Sequence, residues 1–195
     1  MARREDRRVH RTRELLRGAL FSLIREKGFE ALSVQDIIDR ANVGRATFYA
    51  HFDNKEDLLL SGFDTLRASL KERQREGQLR RGRVEERVLA FSHELFAHVS
   101  DHRDLFQAMA GKRSGAVIQS VVHKLLLDLI RDDVQSILPR AEASSVPAEA
   151  LAQFIAGGMF GLLMWWMGGR TRPSVDELNG IFQRLAIAVL KPALS

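Results

Sequence analysis

Between Ser33 and Lys55 the chain reads S-V-Q-D-I-I-D-R-A-N-V-G-R-A-T-F-Y-A-H-F-D-N-K, and this stretch limits the fold more than any other. Ser33 precedes an apolar-periodic run and Asp36 follows three residues later, a capping-box-like start for a helix. Ile37, Ile38 and Ala41 fall on one face of that helix. Asn42 stands where the chain must turn sharply, and asparagine tolerates the left-handed conformation better than most non-glycine residues. Val43 plugs the turn and Gly44 lets a second short helix begin. In that helix Phe48 and Phe52 face inward, which spreads Arg45, Ala46, Thr47, Tyr49 and His51 over the remaining surface. A small helix–turn–helix with a polar, aromatic outer face is the geometry that lays side chains in a major groove.

What flanks this stretch is helical as well. Long segments rich in Leu, Ala, Arg and Glu recur at 3- and 4-residue spacing, only four prolines occur in 195 residues, and alternating strand-like runs are absent. The fold class is therefore all-α. Met1–His10 reads as a flexible basic arm whose Arg3, Arg4, Arg7 and Arg8, with Arg11 just beyond, suit phosphates or the minor groove. A helix over Val9–Lys27 carries Leu15, Leu16, Ala19, Leu20, Leu23 and Ile24 on its core face, with Arg13, Arg17 and Arg25 elsewhere, and Gly28 stops it. Another helix runs from Lys55 to about Gln78, with Leu58, Leu59, Phe63, Leu66 and Leu70 inward. The charged run past Leu70, with Gly77 and Gly82, reads as a hinge or exposed corner.

Further helices are expected over Val84–Val99, Asp101–Met109 with Ser100 as its cap, Gly115–Leu138, Ala148–Gly169 and Val175–Leu190. The result is about nine helices, a three-helix head at 1–60 and a helical body at 61–195. Charge follows the same division. Residues 1–83 hold 19 Lys and Arg against 13 Asp and Glu, a net of +6; residues 84–195 hold 11 against 12, a net of −1. A basic excess confined to the head favours a polyanionic partner there.

Several chemistries are excluded or unsupported. The chain has no cysteine, so thiol catalysis and Cys-based zinc sites drop out. His93 and His98 are five apart, about 500° of helix rotation, and cannot share a metal as histidines four apart do. No nucleophile elbow, phosphate-binding glycine loop or dinucleotide fingerprint occurs, so no enzyme, metal or cofactor is expected. The N-terminus lacks the apolar region of a secretory signal, and the reading is cytoplasmic. Ala150–Gly169 is apolar enough for a membrane span. The amphipathic faces of its neighbours favour instead a helix buried on one side in the core and on the other in a subunit interface, with Gly157 and Gly161 allowing close approach. No membrane partner is expected. Phe63, Leu66, Phe91, Phe96, Phe106, Met109, Leu125, Met159 and Trp166 are candidates to line an apolar ligand pocket, the alternative being that most are simply core.

At A-N-V-G-R-A-T-F-Y-A-H-F-D-N-K-E-D-L-L the chain resembles the helix–turn–helix of the TetR (tetracycline-repressor-like) family of bacterial regulators, over about Arg11–Leu60. The resemblance implies that Ser33, Tyr49, His51 and Lys55 contact phosphates and that Gln35, Arg45, Ala46 and Thr47 lie nearest base edges. The chemistry agrees: Arg45 can pair with guanine, Gln35 with adenine, and the methyls of Ala46 or Thr47 with thymine. Asn42 stands where the family usually has glycine, and Gly44 where serine is common. F-I-A-G-G-M-F-G-L-L-M-W-W-M is similar to the penultimate helix of family ligand domains, whose last two helices make the dimer. That implies an interface drawn from Gly157, Gly161, Trp165, Leu178, Phe182 and Leu185. The implied function is a homodimeric regulator, a repressor released from a near-palindromic double-stranded operator by a small, largely apolar effector. The alternative is a DNA-binding occlusion protein whose body binds other proteins.

Overall fold

The computed structural model describes residues 2–80, 87–109, 114–138, 146–169 and 173–194, without the side chains of 2–6, 108–109, 114–118 and 192–194. The described residues contain nine helices and no strand: α1 (Ala2–Lys27), α2 (Val34–Ala41), α3 (Arg45–Tyr49), α4 (Lys55–Leu79), α5 (Ser92–Asp101), α6 (Arg103–Met109), α7 (Ser114–Ile137), α8 (Ala148–Gly168) and α9 (Val175–Leu194). They fall into two compact units, Met1–Leu66 with Asp104–Ile118, and Arg67–Arg103 with Gln119–Ser195.

The core of the first unit is the apolar stripe of α1, Leu16, Ala19, Leu20, Leu23 and Ile24, with Ile37 and Ile38 of α2, Phe48 of α3, and Leu58 and Leu59 of α4 also buried. Local signals end and start these helices. Gly28 takes φ +75, a conformation that glycine alone adopts without strain, and its N–H bonds the Ile24 carbonyl at 2.9 Å. Asn42 takes φ 51 and ψ 50, and the following Val43 N–H returns to the Ile38 carbonyl at 3.2 Å. The segment expected to be a flexible arm is helical from Ala2. Arginine, glutamate and alanine all propagate helix well, and side-chain pairs one turn apart, such as His10 with Glu14 at 3.9 Å, reinforce it.

In the second unit Phe96 is fully buried and packs edge-on against Trp166 and Phe182, ring centroids 6.3 and 6.0 Å away. Arg103 closes the C-terminal end of α8: its guanidinium donates to the carbonyls of Trp166 and Met167 at 2.6 and 2.8 Å and lies over the Trp166 ring. The helix expected over Val84–Val99 is interrupted: among the described residues Arg87 is helical, residues 88–91 form a turn, and α5 starts at Ser92. The buried Leu89 adopts φ 58 in a turn there, which no α-helix passes through. That turn is held by Asp133 of α7, whose carboxylate accepts from the Leu89 N–H at 2.8 Å and from Gln78 Nε2 at 2.9 Å. Gln183 of α9 donates to the Leu89 carbonyl at 3.1 Å. Gly77 makes the close approach possible, because a Cβ there would stand 2.5 Å from Ala90 Cβ and 2.8 Å from the Arg87 carbonyl oxygen. Ser100 does not cap a new helix; α5 continues through it to Asp101.

α8 is long and apolar enough to cross a membrane by composition, but it is a two-sided helix. Leu151, Ala152, Ile155, Ala156, Met159, Leu163 and Trp166 are buried, whereas Phe154 is 66% and Trp165 54% exposed. On α9 the buried stripe is Leu178, Phe182, Ala186 and Leu190, four residues apart, which turns Leu185 outward at 56% exposure. Leu178 and Phe182, expected on the dimer face, are instead packed inside the unit and offer a partner no surface. Trp165 and Leu185 are exposed, and nothing lies within 4 Å of a Cβ placed on Gly157 or Gly161.

Five of the residues expected to line an apolar pocket, Phe91, Phe96, Leu125, Met159 and Trp166, are core residues of the second unit. Leu66 is buried and Phe63 and Phe106 half-buried in the first unit. The side chain of Met109 lies outside the described residues. One described cleft of the second unit, about 520 Å³, is lined by mostly polar residues, including Arg73, Glu76, Ser92, Glu94, Asn179 and Gln183, and by none of the nine.

Candidate nucleic-acid interface

α2 is started by a complete capping box. Asp36 N–H donates to Ser33 Oγ at 3.2 Å, and the Ser33 N–H and hydroxyl both donate to Asp36 Oδ2, at 2.8 and 2.7 Å. Lys27 Nζ adds an ion pair to Asp36 Oδ1 at 2.9 Å. The Ser33 hydrogen bond first, then Lys27, holds the Asp36 carboxyl well below the usual carboxylate range. Both Ser33 donors are thus spent on a carboxylate, so a phosphate at this position would have to displace Asp36. Ser33→Ala is expected to lower the stability of the first unit by about 1 kcal/mol, the ordinary worth of such a cap, measured by thermal unfolding followed at Tyr49. An unchanged midpoint would show that the box contributes nothing.

α2 is fixed against α1 by Arg40, which donates to both oxygens of Glu26 at 2.6 and 2.7 Å and to Ser22 Oγ at 2.8 Å. Arg40 is the main reason the Glu26 carboxyl is lowered to about 2. Gln35 is exposed on α2, and its amide nitrogen rests on Asp39 Oδ1 at 2.8 Å.

α3 is only five residues long and is tied at its start by backbone alone. The Thr47 and Phe48 N–H groups bond the Gly44 carbonyl at 2.9 and 3.1 Å, and Gly44 provides no side-chain cap. Phe48 anchors it, fully buried, with Tyr49 edge-on at 5.3 Å and Phe52 at 6.1 Å. Arg45, Ala46 and Tyr49 are exposed; Thr47 and His51 are half-buried. The Arg45 guanidinium lies 5.7 Å from the centre of the Tyr49 ring, a contact that narrows its conformations.

Lys55 is held against the backbone of its own unit. Its ammonium donates to the carbonyls of Phe29 and Leu32 at 3.1 and 2.7 Å and sits 4.7 Å from the centre of the Phe29 ring. It closes the loop between α1 and α2 from inside. Arg13, which sequence spacing places off the core face, lies with its guanidinium 5.3 Å from the centre of the Phe52 ring. A signal existed: Arg13 precedes the buried Leu16 by three residues and Leu20 by seven, so it continues their seam toward the N-terminus.

The family model described as "Bacterial regulatory proteins, tetR family" matches residues 16–61, and that described as "Transcriptional regulator C-terminal region" matches residues 86–188. The uncharacterized HTH-type transcriptional regulators YxbF and YdeS of Bacillus subtilis (strain 168) are 47% identical over 55 residues and 36% identical over 52. These matches take in 28% and 27% of this chain, and only 14% and 26% of the relatives' own lengths. Among solved structures, a TetR transcriptional regulator from Streptococcus agalactiae 2603V is 23% identical with a TM-score of 0.67, covering 95% of this chain and 99% of that one. Thermus thermophilus FadR, a repressor of the same family solved with lauroyl-CoA, is 24% identical with a TM-score of 0.64, covering 90% and 93%. With one model on the helix–turn–helix and another over more than half of the chain, and with the same fold along nearly its whole length, the chain belongs to the TetR family of bacterial transcriptional regulators.

Proposed function

We propose that the chain is a sequence-reading repressor that acts as a homodimer and leaves its operator when a small molecule binds the body. The observation that carries the reading is α3: a short helix anchored by the buried Phe48, with Arg45, Ala46 and Tyr49 exposed together. Gln35, Arg45, Ala46 and Thr47 would lie nearest base edges, and Tyr49 and His51 would seat the helix on phosphates. Two heads related by a two-fold axis would read a near-palindromic double-stranded operator. The exposed Phe154, Trp165 and Leu185, with the uncovered Gly157 and Gly161, support a dimer face on α8 and α9. The division into a head at 1–60 and a body at 61–195 belongs to this reading, as do the cytoplasmic location and the absence of any catalytic role. FadR, holding lauroyl-CoA, supports an effector with a long apolar chain. Such a ligand releases DNA only through different affinities for two conformations.

Selection of bound duplexes from a random pool, followed by a screen for ligands that release them, tests the whole proposal. Recovery of no common sequence would sink it, and a selected site that no ligand releases would favour the occlusion role. Arg45→Ala is expected to relax preference at one base pair by about 1–3 kcal/mol in competition gel shifts. An unchanged preference would remove Arg45 from the reading set.

A further inference from the structure

Several of the basic side chains described in the first unit are already paired with carboxylates. Arg17 pairs with Glu14, Arg25 with Asp104, Lys27 with Asp36 and Arg40 with Glu26, at 2.5 to 2.9 Å. Lys55 spends its ammonium on two backbone carbonyls. Two guanidinium groups differ from these. Arg45 and Arg13 are exposed, have no carboxylate partner among the described residues, and are each held over an aromatic ring, of Tyr49 and Phe52. Those two rings flank the same buried Phe48, with centroids 5.3 and 6.1 Å from it. The Phe52 ring is also 6.3 Å from that of His51. A charge left unneutralised and held in position, rather than free at the end of a mobile stem, loses little entropy when it meets an anion.

From this arrangement we infer that Arg13 of α1 is a phosphate-contacting residue of the DNA interface and supplies the cation that Lys55 does not. The inference rests on the DNA-binding reading and adds to it a residue that lies before the stretch matched by the family model, which starts at residue 16. Arg13 and Arg45 then divide the work. Arg45, at the start of α3, approaches base edges. Arg13, braced on Phe52 beside His51, meets the sugar–phosphate backbone and carries no sequence information. The competing role for Arg13 is packing alone, its stem covering Phe52.

The salt dependence of binding separates the two roles. Affinity of the full chain for a mixed-sequence duplex DNA would be measured by fluorescence anisotropy at several salt concentrations, for the unmodified chain and for Arg13→Gln, Arg13→Lys and Lys55→Gln. Each phosphate contact adds about 0.9 to the slope of log affinity against log salt. Arg13→Gln is expected to lower that slope by about this amount per protomer, without altering sequence preference, and Arg13→Lys to restore it. Lys55→Gln is expected to leave the slope unchanged. An unaltered slope in Arg13→Gln, with a lower unfolding midpoint, would reduce Arg13 to a cover for Phe52. If the unmodified chain bound no duplex in a salt-dependent way, the regulator reading itself would fall, and the role of Arg13 with it.

Discussion

Replacing Lys55 by methionine is expected to destabilise the first unit by roughly 1.5–3 kcal/mol, the ordinary worth of hydrogen bonds from a charged donor. Methionine keeps most of the aliphatic stem and removes the ammonium. The carbonyls of Phe29 and Leu32, now bonded at 3.1 and 2.7 Å, would lose a charged donor in a half-buried setting, and the Phe29 ring would lose its cation. The loop they belong to links α1 to α2, so the loss reaches the entry of the helix–turn–helix. The chain provides separate probes for its two units. Its single tyrosine, Tyr49, sits in the first, and both tryptophans, Trp165 and Trp166, sit on α8 in the second. In urea unfolding of Lys55→Met the tyrosine-reported midpoint should fall while the tryptophan-reported midpoint stays near its original value. A variant with an unchanged tyrosine midpoint and weakened DNA binding would instead return Lys55 to the phosphate backbone.

The contrast between Lys55 and its neighbours shows where the sequence can be read and where it cannot. The stop of α1, both ends of α2 and the start of α3 were legible because each depends on residues within one turn: Gly28 behind Ile24, Ser33 with Asp36, Asn42 behind Ile38, Gly44 before Arg45. Lys55 bonds carbonyls 26 and 23 residues away, and no local pattern marks such acceptors. The Leu89 turn was hidden for a related reason. Neither glycine nor asparagine stands there; a leucine takes the left-handed conformation because side chains from three other helices fix it. On α9 the obstacle was degeneracy. Leu178, Phe182 and Leu185 are all apolar, and composition does not say which side of a helix meets its own core. The stripe four residues apart settles it for Phe182 and against Leu185. The helical N-terminus of α1 was misread because clustered arginines signal an anionic partner whether or not the backbone is ordered.

Asp133→Ala is expected to destabilise the second unit by about 3 kcal/mol, and Asp133→Asn by much less. The carboxylate is 1% exposed, and its two oxygens accept from two different donors, the Leu89 N–H and Gln78 Nε2. Alanine would leave a buried N–H without a partner in a turn whose left-handed leucine already costs about 1 kcal/mol. Asparagine can still accept from Leu89 if Gln78 turns its amide to present oxygen. Burial raises the Asp133 carboxyl above its ordinary value, the bonds from Gln78, Leu89 and Gln74 opposing this only in part, and Asp132 adds to the rise. Because the folded protein holds this proton more tightly than the unfolded chain, the contribution of Asp133 is greatest below the ordinary aspartate range. It declines as pH rises from there through the folded value. Asparagine carries no such dependence. The stability of Asp133→Asn should therefore gain on that of the unmodified protein as pH rises from the ordinary aspartate range, read from tryptophan-monitored urea unfolding at each pH. A stability difference constant across that range would mean that Asp133 titrates alike in the folded and unfolded chain, and that its burial is compensated in full by the bonds it accepts.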